Sequence, residues 1–356
     1  MTSITRSGKQ SETQVYENDQ VRVGKDDAVR LERWWEAHHA ELTAHCYRML
    51  GSAFDADDAV QETLERAWRG RGRFEASRGS ARSWLYAIAT NVCLDMLRGA
   101  RRRALAMDLG PAAEPGSPLG RPLPEEHWVL PIPDRRVSPA GADPAEAAVA
   151  RETIRLAFVA ALQHLPPRQR AVLILRDVLR WRAAEVAGLL GVTVAAVNSA
   201  LQRARATLRT VHPDGTEGAA PLGEAEGDLL DRYCTAFENH DVDALVALLH
   251  EDAAMSMPPF TWWLQGREHI RRALSAPDAG CRGSRLVPVA ANGSPAFAHY
   301  VPTGPGGTFE PRALVLVDVR GGLIAGTTSF LDTARLFPLF DLPPTPPRRP
   351  VSPDER

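Results

Sequence analysis

The sequence predicts a multidomain chain in which two all-α domains precede a smaller α+β domain, and three observations carry that expectation. Apolar residues recur at three- and four-residue intervals over 29–103 and again over 145–211, the period of helices with one buried face. Eight prolines from Pro111 to Pro139 separate these stretches and mark a segment unable to form helix or a compact core. Beyond 227, helical patterns give way to a run of antiparallel strands, with hairpin dipeptides at Asn292-Gly293 and Gly321-Gly322.

A chain of 356 residues has room for two or three cores. Its net charge of -2 excludes a uniformly basic nucleic-acid coat, so any DNA contact must come from local patches. The four cysteines stand far apart, without a C-x-x-C pair or a histidine at metal-ligand spacing; no metal or cofactor is expected, and Cys46 and Cys93 read as small buried hydrophobes. Residues 1–28 are polar, lack the apolar core of a signal peptide and read as a flexible N-terminus. No later apolar run approaches membrane-spanning length, so a soluble, cytoplasmic protein without a membrane partner is expected.

The first helical domain spans 29–103. In DADDAVQETLERAW, Asp55 is placed to cap the helix and Val60, Leu64 and Trp68 to form its buried stripe. Asp58, Gln61, Glu62 and Glu65 are left on the opposite face, an arrangement that an ordinary solvated surface also produces. In SARSWLYAIATNVCLDMLR, Leu85, Ile88, Val92 and Met96 make the core stripe, while Trp84, Asn91, Asp95 and Arg98 share another side that runs into Arg101, Arg102 and Arg103. The semi-extended linker follows over 104–144. Its apolar island, Trp128 and Ile132, reads as an anchor against the chain's own domains.

The second helical domain spans 145–211, and the double proline of LPPRQR marks a helix boundary inside it. RAAEVAGLLGVTVAAVNSALQRARATLR (Arg182 to Arg209) has the spacing of a helix-turn-helix: small Ala187 at the crossing, Gly191 at the turn, Val197 packing back. No acidic residue lies between Glu185 and Asp214, so Arg203, Arg205 and Arg209 can approach phosphates. A helical hairpin with a solvated arginine face is the plainer alternative. After a spacer at 212–226, the third domain occupies 227–340. One helix carries Leu229, Leu230, Tyr233 and Phe237, the next Leu245, Leu248 and Leu249, and a third runs from Arg267 to Leu274. Residues 341–356 read as a disordered tail.

With these residues in place, the chain resembles bacterial sigma-70-type initiation factors of the compact extracytoplasmic-function group. DADDAVQETLERAW resembles that family's region 2.2, SARSWLYAIATNVCLDMLR regions 2.3 and 2.4, and LPPRQRAVLILRDVLRWRAAEVAGLLGVTVAAVNSALQRARATL region 4, in matching order over about 160 to 170 residues. The proline-rich linker and third domain further resemble the sigma-G and sigma-J subfamilies, whose C-terminal extension is similar to a SnoaL-like, NTF2-like cone. The resemblance implies that Asp58, Gln61, Glu62 and Glu65 dock on the β′ clamp helices of core RNA polymerase, with the β subunit as a further partner. It implies that the loop at 72–80 and the following helix read the -10 promoter element, through Arg82, Trp84, Asn91 and Arg98. Trp84 would be the stacking platform, although a core tryptophan at a helix start fits its position equally. It implies -35 contacts by Asn198, Ser199, Gln202 and Arg203, with Arg205 on phosphate. Many relatives carry a basic residue where this chain has Asn198 or Ala200, so their base preferences do not transfer.

An enzymatic reading has to reside in the third domain, because NTF2-like cones include isomerases and polyketide cyclases with an Asp base in an apolar pocket. Met257, Trp262, Phe297 and His299 are the candidate ligand pocket, with His250, Asp318 and Asp332 as further polar candidates. No acid/His motif establishes a catalytic centre, so no catalytic residue is assigned and the cone is expected to act in cis on the sigma domains. The alternatives are an effector-controlled DNA-binding regulator and a cyclase-like enzyme fused to DNA-binding helices. The sequence names neither an anti-sigma partner nor a ligand.

Overall fold

The computed structural model describes residues 8–74, 80–138, 144–211, 224–276, 282–303 and 308–347. Helices α1 (Gly8–Leu50), α2 (Ala53–Gly70) and α3 (Ala81–Met96) pack as the first bundle. The segment expected to be a flexible N-terminus is helical from Gly8 onward and continuous with α1. Ser52 caps α2 by accepting the Asp55 N–H at 3.3 Å, and Ser80 caps α3 by accepting from Ser83 at 3.1 Å. Asp55 is therefore not the cap; its carboxylate takes a hydrogen bond from buried Arg103 at 2.6 Å. The expected stripes hold at Val60, Leu85 and Val92, but Trp68 and Met96 are 42% and 36% exposed. Both lie in the last turn of their helix, and Trp68 opens onto a groove beside α1.

The proline-rich segment is largely extended, yet it is neither free of helix nor free of the core. It contains the single turns α4 (Ala106–Leu109) and α5 (Asp134–Val137), and Trp128 through Pro133 are buried. Prolines deny it a strand ladder, so its remaining polar groups go to neighbouring elements. The Leu130 N–H donates to the Gly51 carbonyl at 2.9 Å, and Arg103 donates to the carbonyls of Glu125 and Trp128, each at 2.9 Å. Trp128 and Ile132 are the expected anchor, each contributing on the order of 2 kcal/mol through burial.

The second domain comprises α6 (Pro144–Glu152), α7 (Leu156–Gln163), α8 (Pro167–Leu173), α9 (Ala183–Leu190) and α10 (Val194–Val211). Pro167 occupies the first turn of α8, where its missing N–H costs nothing. The chain then widens into a π turn at Ile174–Val178 and reverses at Arg180, whose φ is +60°. Gly191, at φ +63°, ends α9 in the left-handed conformation that favours glycine. The Thr193 hydroxyl accepts the Ala196 N–H at 3.1 Å to start α10, and the two helices meet at 102° with Ala187 and Val197 buried. The expected helix-turn-helix is present. No single helix among the described residues is long and apolar enough to cross a membrane.

The third domain begins with α11 (Glu224–Glu238) and α12 (Val242–Ala247); the spacer at 212–223 lies outside the described residues. Strands β1 (Leu249–Ser256) and β2 (Trp263–Gln265) precede α13 (Arg267–Leu274), followed by β3 (Arg285–Ala291), β4 (Ser294–Thr303), β5 (Thr308–Arg320), β6 (Leu323–Phe330) and α14 (Thr333–Leu339). The sheet order is β2-β1-β6-β5-β4-β3. It is mixed rather than wholly antiparallel, because β1 runs parallel to β6. Leu249, expected to end the second helix, opens β1 instead. The first part of the expected disordered tail is packed: Tyr300 donates to the Pro343 carbonyl and Arg285 to that of Pro347, both at 2.9 Å. Residues 348–356 lie outside the described residues.

Ala313 to Val317 of β5 are all buried because the sheet is covered on both faces. Ala313, Val315 and Val317 join Tyr233, Phe237 and Phe297 in the core of the cone. Leu314 and Leu316, with Ala291, Ala296 and Phe330, join instead a continuous apolar core that includes both helical domains and the linker. The polar groups at the end of α1 organise this junction. Tyr47 donates to the Leu130 carbonyl at 2.8 Å, Arg48 to the hydroxyl and carbonyl of Thr153 at 2.7 and 3.1 Å, and buried Arg170 of α8 reaches the Met49 carbonyl. Burial lowers the Arg48 and Arg170 guanidinium pKa values to about 10, leaving both charged at neutral pH.

Two stability tests follow from this packing. At Gly293 (φ +61°) an added Cβ would lie 2.8 Å from the Arg151 carbonyl oxygen, so Gly293→Ala is expected to cost about 1–3 kcal/mol in urea denaturation. Burial, with a smaller contribution from Arg48, holds the His45 imidazole down to about 3 while its Nε2 sits 3.0 Å from the Thr90 hydroxyl. The unfolded chain therefore binds the extra proton first: stability is full above about pH 6.5 and falls as pH drops toward 3. His45→Gln is expected to remove about 2 kcal/mol of the stability difference between pH 7 and pH 5, measured by denaturation at both values.

Candidate nucleic-acid interface

Asp58, Gln61, Glu62 and Glu65 lie together along the outer face of α2; Asp58, Gln61 and Glu65 are exposed and Glu62 is half-buried. Two of the four carry internal counterions. Glu62 accepts from Arg66 at 2.7 Å and Glu65 from Arg69 at 2.6 Å, both one helical turn away. Beside this face, an apolar groove of about 440 Å³ opens between α1 and α2. Leu31, Trp35, Leu64 and Trp68 form its walls, and Glu32, Glu36, Glu65 and the Arg69 paired to Glu65 form its charged rim.

The four residues expected at the -10 element all belong to α3 and its C-terminal end, but their environments differ. Asn91 and Arg98 are exposed, with Arg98 paired to Asp95 at 2.9 Å. Arg82, expected to be an exposed contact, is half-buried: it pairs with Glu41 at 2.6 Å and lies 5.1 Å above the Tyr86 ring. Trp84 is neither a buried core side chain nor a free platform. It forms an aromatic box with Trp34 and Phe74, with ring centroids 6.4 and 5.5 Å away, and the Arg30 guanidinium sits over Trp34 and Phe74. Phe74 belongs to the loop at 72–80 already placed beside the -10 element, whereas Trp34 comes from α1, where no pattern within a single helix points to it. Of the loop at 72–80, positions 75–79 lie outside the described residues.

In α10, Asn198, Ser199, Gln202 and Arg203 are exposed on a continuous face. Arg205 is exposed but is not a free cation: Asp177 of the π turn accepts two hydrogen bonds from it, at 2.6 and 2.8 Å. The absence of acid along α10 therefore leaves out a carboxylate that the fold returns to its flank. The two candidate DNA-reading domains are in direct contact. Trp181, projected by the reversal at Arg180, packs on Tyr86 of α3 with centroids 5.3 Å apart. A cleft of about 1000 Å³ separates the Arg82–Trp84 surface from α9, where Ala184, Glu185 and Gly188 form the far wall.

The cone's candidate pocket is only partly assembled. Phe297 and His299 project from one face of β4 toward α11, where Phe297 meets Tyr233 at 5.9 Å and His299 meets Phe237 edge-on at 5.1 Å. Trp262 packs against the same cluster, whereas Met257 lies outside it. Burial, then Arg312, holds the His299 imidazole at about 4, and its Nε2 lies 2.9 Å from the Ser284 hydroxyl. The other polar candidates do not converge on His299. Asp318 is exposed and 3.9 Å from Arg155, the His250 Nδ1 accepts the Asp252 N–H, and Asp332 precedes α14. Among the described residues no cluster of three or more His, Cys, Asp or Glu side chains could hold a metal ion.

Comparison with known proteins agrees with this geometry in all three domains. Family models match Sigma-70 region 2 at residues 34–103, Sigma-70 region 4 at 155–208 and the SnoaL-like domain at 230–327. The chain is 47% identical over 312 residues to the Mycobacterium tuberculosis ECF RNA polymerase sigma factor SigG, covering 86% of this chain and 82% of that protein. It is 30% identical over 223 residues to SigJ of the same organism, covering 62% and 63% of the two chains. The crystal structure of Mycobacterium tuberculosis SigJ superposes with a TM-score of 0.57 at 22% identity, over 87% of this chain and 99% of that one, and shares the fold. The chain thus belongs to the ECF family of RNA polymerase sigma factors, which are transcription factors rather than enzymes.

Proposed function

We propose that this chain docks on core RNA polymerase through the outer face of α2 and directs promoter-specific initiation, with α3 at the -10 element and α10 at the -35 element. The observation that carries the reading is the presence, on separate elements in family order, of an exposed acidic face, an aromatic box and a helix-turn-helix with a polar reading face. Asp58, Gln61, Glu62 and Glu65 meet the clamp helices of the β′ subunit, where their charge steers encounter and sets register. The groove lined by Trp35 and Trp68 beside them takes an apolar side chain of the same partner. Trp84, backed by Trp34 and Phe74, stacks an unpaired base of the opened duplex, and Asn91 and Arg98 contact the strand. Asn198 and Gln202 favour adenine edges, and Arg203 a guanine. Arg205 reaches phosphate once it leaves Asp177, which makes its contribution smaller than that of an unpaired arginine.

The cone acts on the sigma domains in cis. Its sheet shares their apolar core, so any change that loosens the cone alters how the two reading domains sit. A small ligand lodged against Phe297 and His299 would act through the same sheet, from its other face.

Retention of core polymerase by the purified chain, followed by run-off transcription, tests the reading; failure to retain polymerase overturns it. Charge reversal at Asp58 and Glu65 together is expected to weaken polymerase retention about tenfold without changing promoter-fragment binding. Arg203→Ala is expected to cost about 1–3 kcal/mol of promoter binding at fixed salt. Trp84→Ala is expected to leave duplex binding intact while reducing the opened fraction, read by permanganate footprinting, by about 1–3 kcal/mol in free energy.

A further inference from the structure

Asn292 is fully buried, at the tip of the β3–β4 hairpin, and it touches every other part of the molecule. Its side-chain amide donates to the Tyr47 hydroxyl at 2.6 Å, in the first helical domain, and to the Ile154 carbonyl at 2.7 Å, in the second. Its Oδ1 accepts the Ile132 N–H at 3.0 Å and its own N–H donates to the Ile132 carbonyl at 3.1 Å, in the linker. Next to it, the Gly293 N–H donates to Asp134 at 2.7 Å. The two reading domains and the linker are thus tied through one residue of the cone.

We propose that Asn292 is the positioning residue that holds the -10-reading and -35-reading domains in this closed arrangement, and that withdrawal of the hairpin tip is the step that frees them to reach their separate promoter elements. This rests on the sigma-factor reading above. Elements centred at -10 and -35 lie about 25 base pairs apart, roughly 85 Å of B-form duplex at about 3.4 Å per base pair. The two domains here touch through Tyr86 and Trp181 at 5.3 Å, so the closed form cannot occupy both elements at once.

The chemistry of the contact suits a reversible latch. A buried amide with all its partners satisfied specifies one geometry, whereas a misplaced one leaves the Ile132 N–H and the Ile154 carbonyl unpaired, so intermediate positions are disfavoured. Once withdrawn, the amide and its partners are solvated by water, which an apolar plug would not be. The other polar ties between the cone and the rest include the exposed or half-exposed ion pairs Arg135–Asp341, Arg155–Asp318 and Arg335–Glu125, which resist opening weakly, and hydrogen bonds to the linker, from Trp263 to the Gly110 carbonyl at 3.0 Å, from Ala113 to the Trp263 carbonyl at 2.7 Å and from Leu123 to the Pro259 carbonyl at 2.8 Å. Asn292 also adopts φ +55° in a two-residue turn, so the four hydrogen bonds are made or lost together as that turn moves.

The test compares the wild-type full-length chain with Asn292→Asp and Tyr47→Phe, by small-angle scattering without polymerase and by run-off transcription at limiting chain concentration. Asn292→Asp keeps the shape and the turn but removes both amide donors; Tyr47→Phe removes one partner. The expected result is a larger radius of gyration with unchanged circular dichroism, and transcription raised about tenfold for Asn292→Asp and less for Tyr47→Phe. Folded variants that stay as compact as wild type, or that expand without any gain in transcription, overturn the proposal. If Asn292→Asp loses its helical signal, Tyr47→Phe decides alone by the same two criteria. Failure of wild type to retain core polymerase would instead overturn the sigma-factor reading, while the scattering result would still decide whether Asn292 closes the chain.

Discussion

The end of α1 is the part of the molecule on which the rest depends, because its polar groups are buried and between them are satisfied by the linker, the second helical domain and the cone. Tyr47 meets the linker and the cone, Arg48 meets Thr153, the Met49 carbonyl takes Arg170, and the Gly51 carbonyl takes Leu130. Buried groups of this kind contribute little net energy when paired and cost much when left alone. Their effect is selective: the apolar core would tolerate several packings of these helices, but few would pair every donor and acceptor at this point.

That constraint explains how a proline-rich segment becomes ordered. Without a ladder, residues 104–133 gain order by burying Trp128 and Ile132 and by exchanging hydrogen bonds with fixed partners: Arg103 and the backbone N–H of Asn292 donate to linker carbonyls, and the Leu123, Leu130 and Ile132 N–H groups donate to Pro259, Gly51 and Asn292. Trp263 of the cone likewise donates to the Gly110 carbonyl at 3.0 Å. The linker serves less as a spacer than as the layer through which cone and helical domains recognise one another.

Charge on the reading surfaces is arranged in the same economical way. Arg82 and Arg205, both assigned to DNA, are held by Glu41 and Asp177. A cation already paired must exchange one anion for another on meeting phosphate, which lowers its contribution to non-specific affinity.

Much of this chain was legible from its residues because much of it is local. Helix periods, the proline before α8, Gly191 between α9 and α10, and the Asn292-Gly293 turn are written in patterns spanning four to eight residues, and the ordered motifs placed the chain in its family. The differences share one cause: the roles of Trp68, Met96 and Asp55 follow from periodicity within one helix, and the pairing of Arg82 with Glu41 and of Arg205 with Asp177 is decided by a neighbour from elsewhere. The aromatic box around Trp84 and the pairing of β1 with β6 are of the same kind. Most of all, Asn292-Gly293 could be read as a turn but not as a latch, since Tyr47 lies 245 residues away in sequence. The sequence by itself determined the elements, their order and the family; the tertiary structure decided which polar groups are buried together, because burial is set by packing between distant segments and leaves no periodic trace in any one of them.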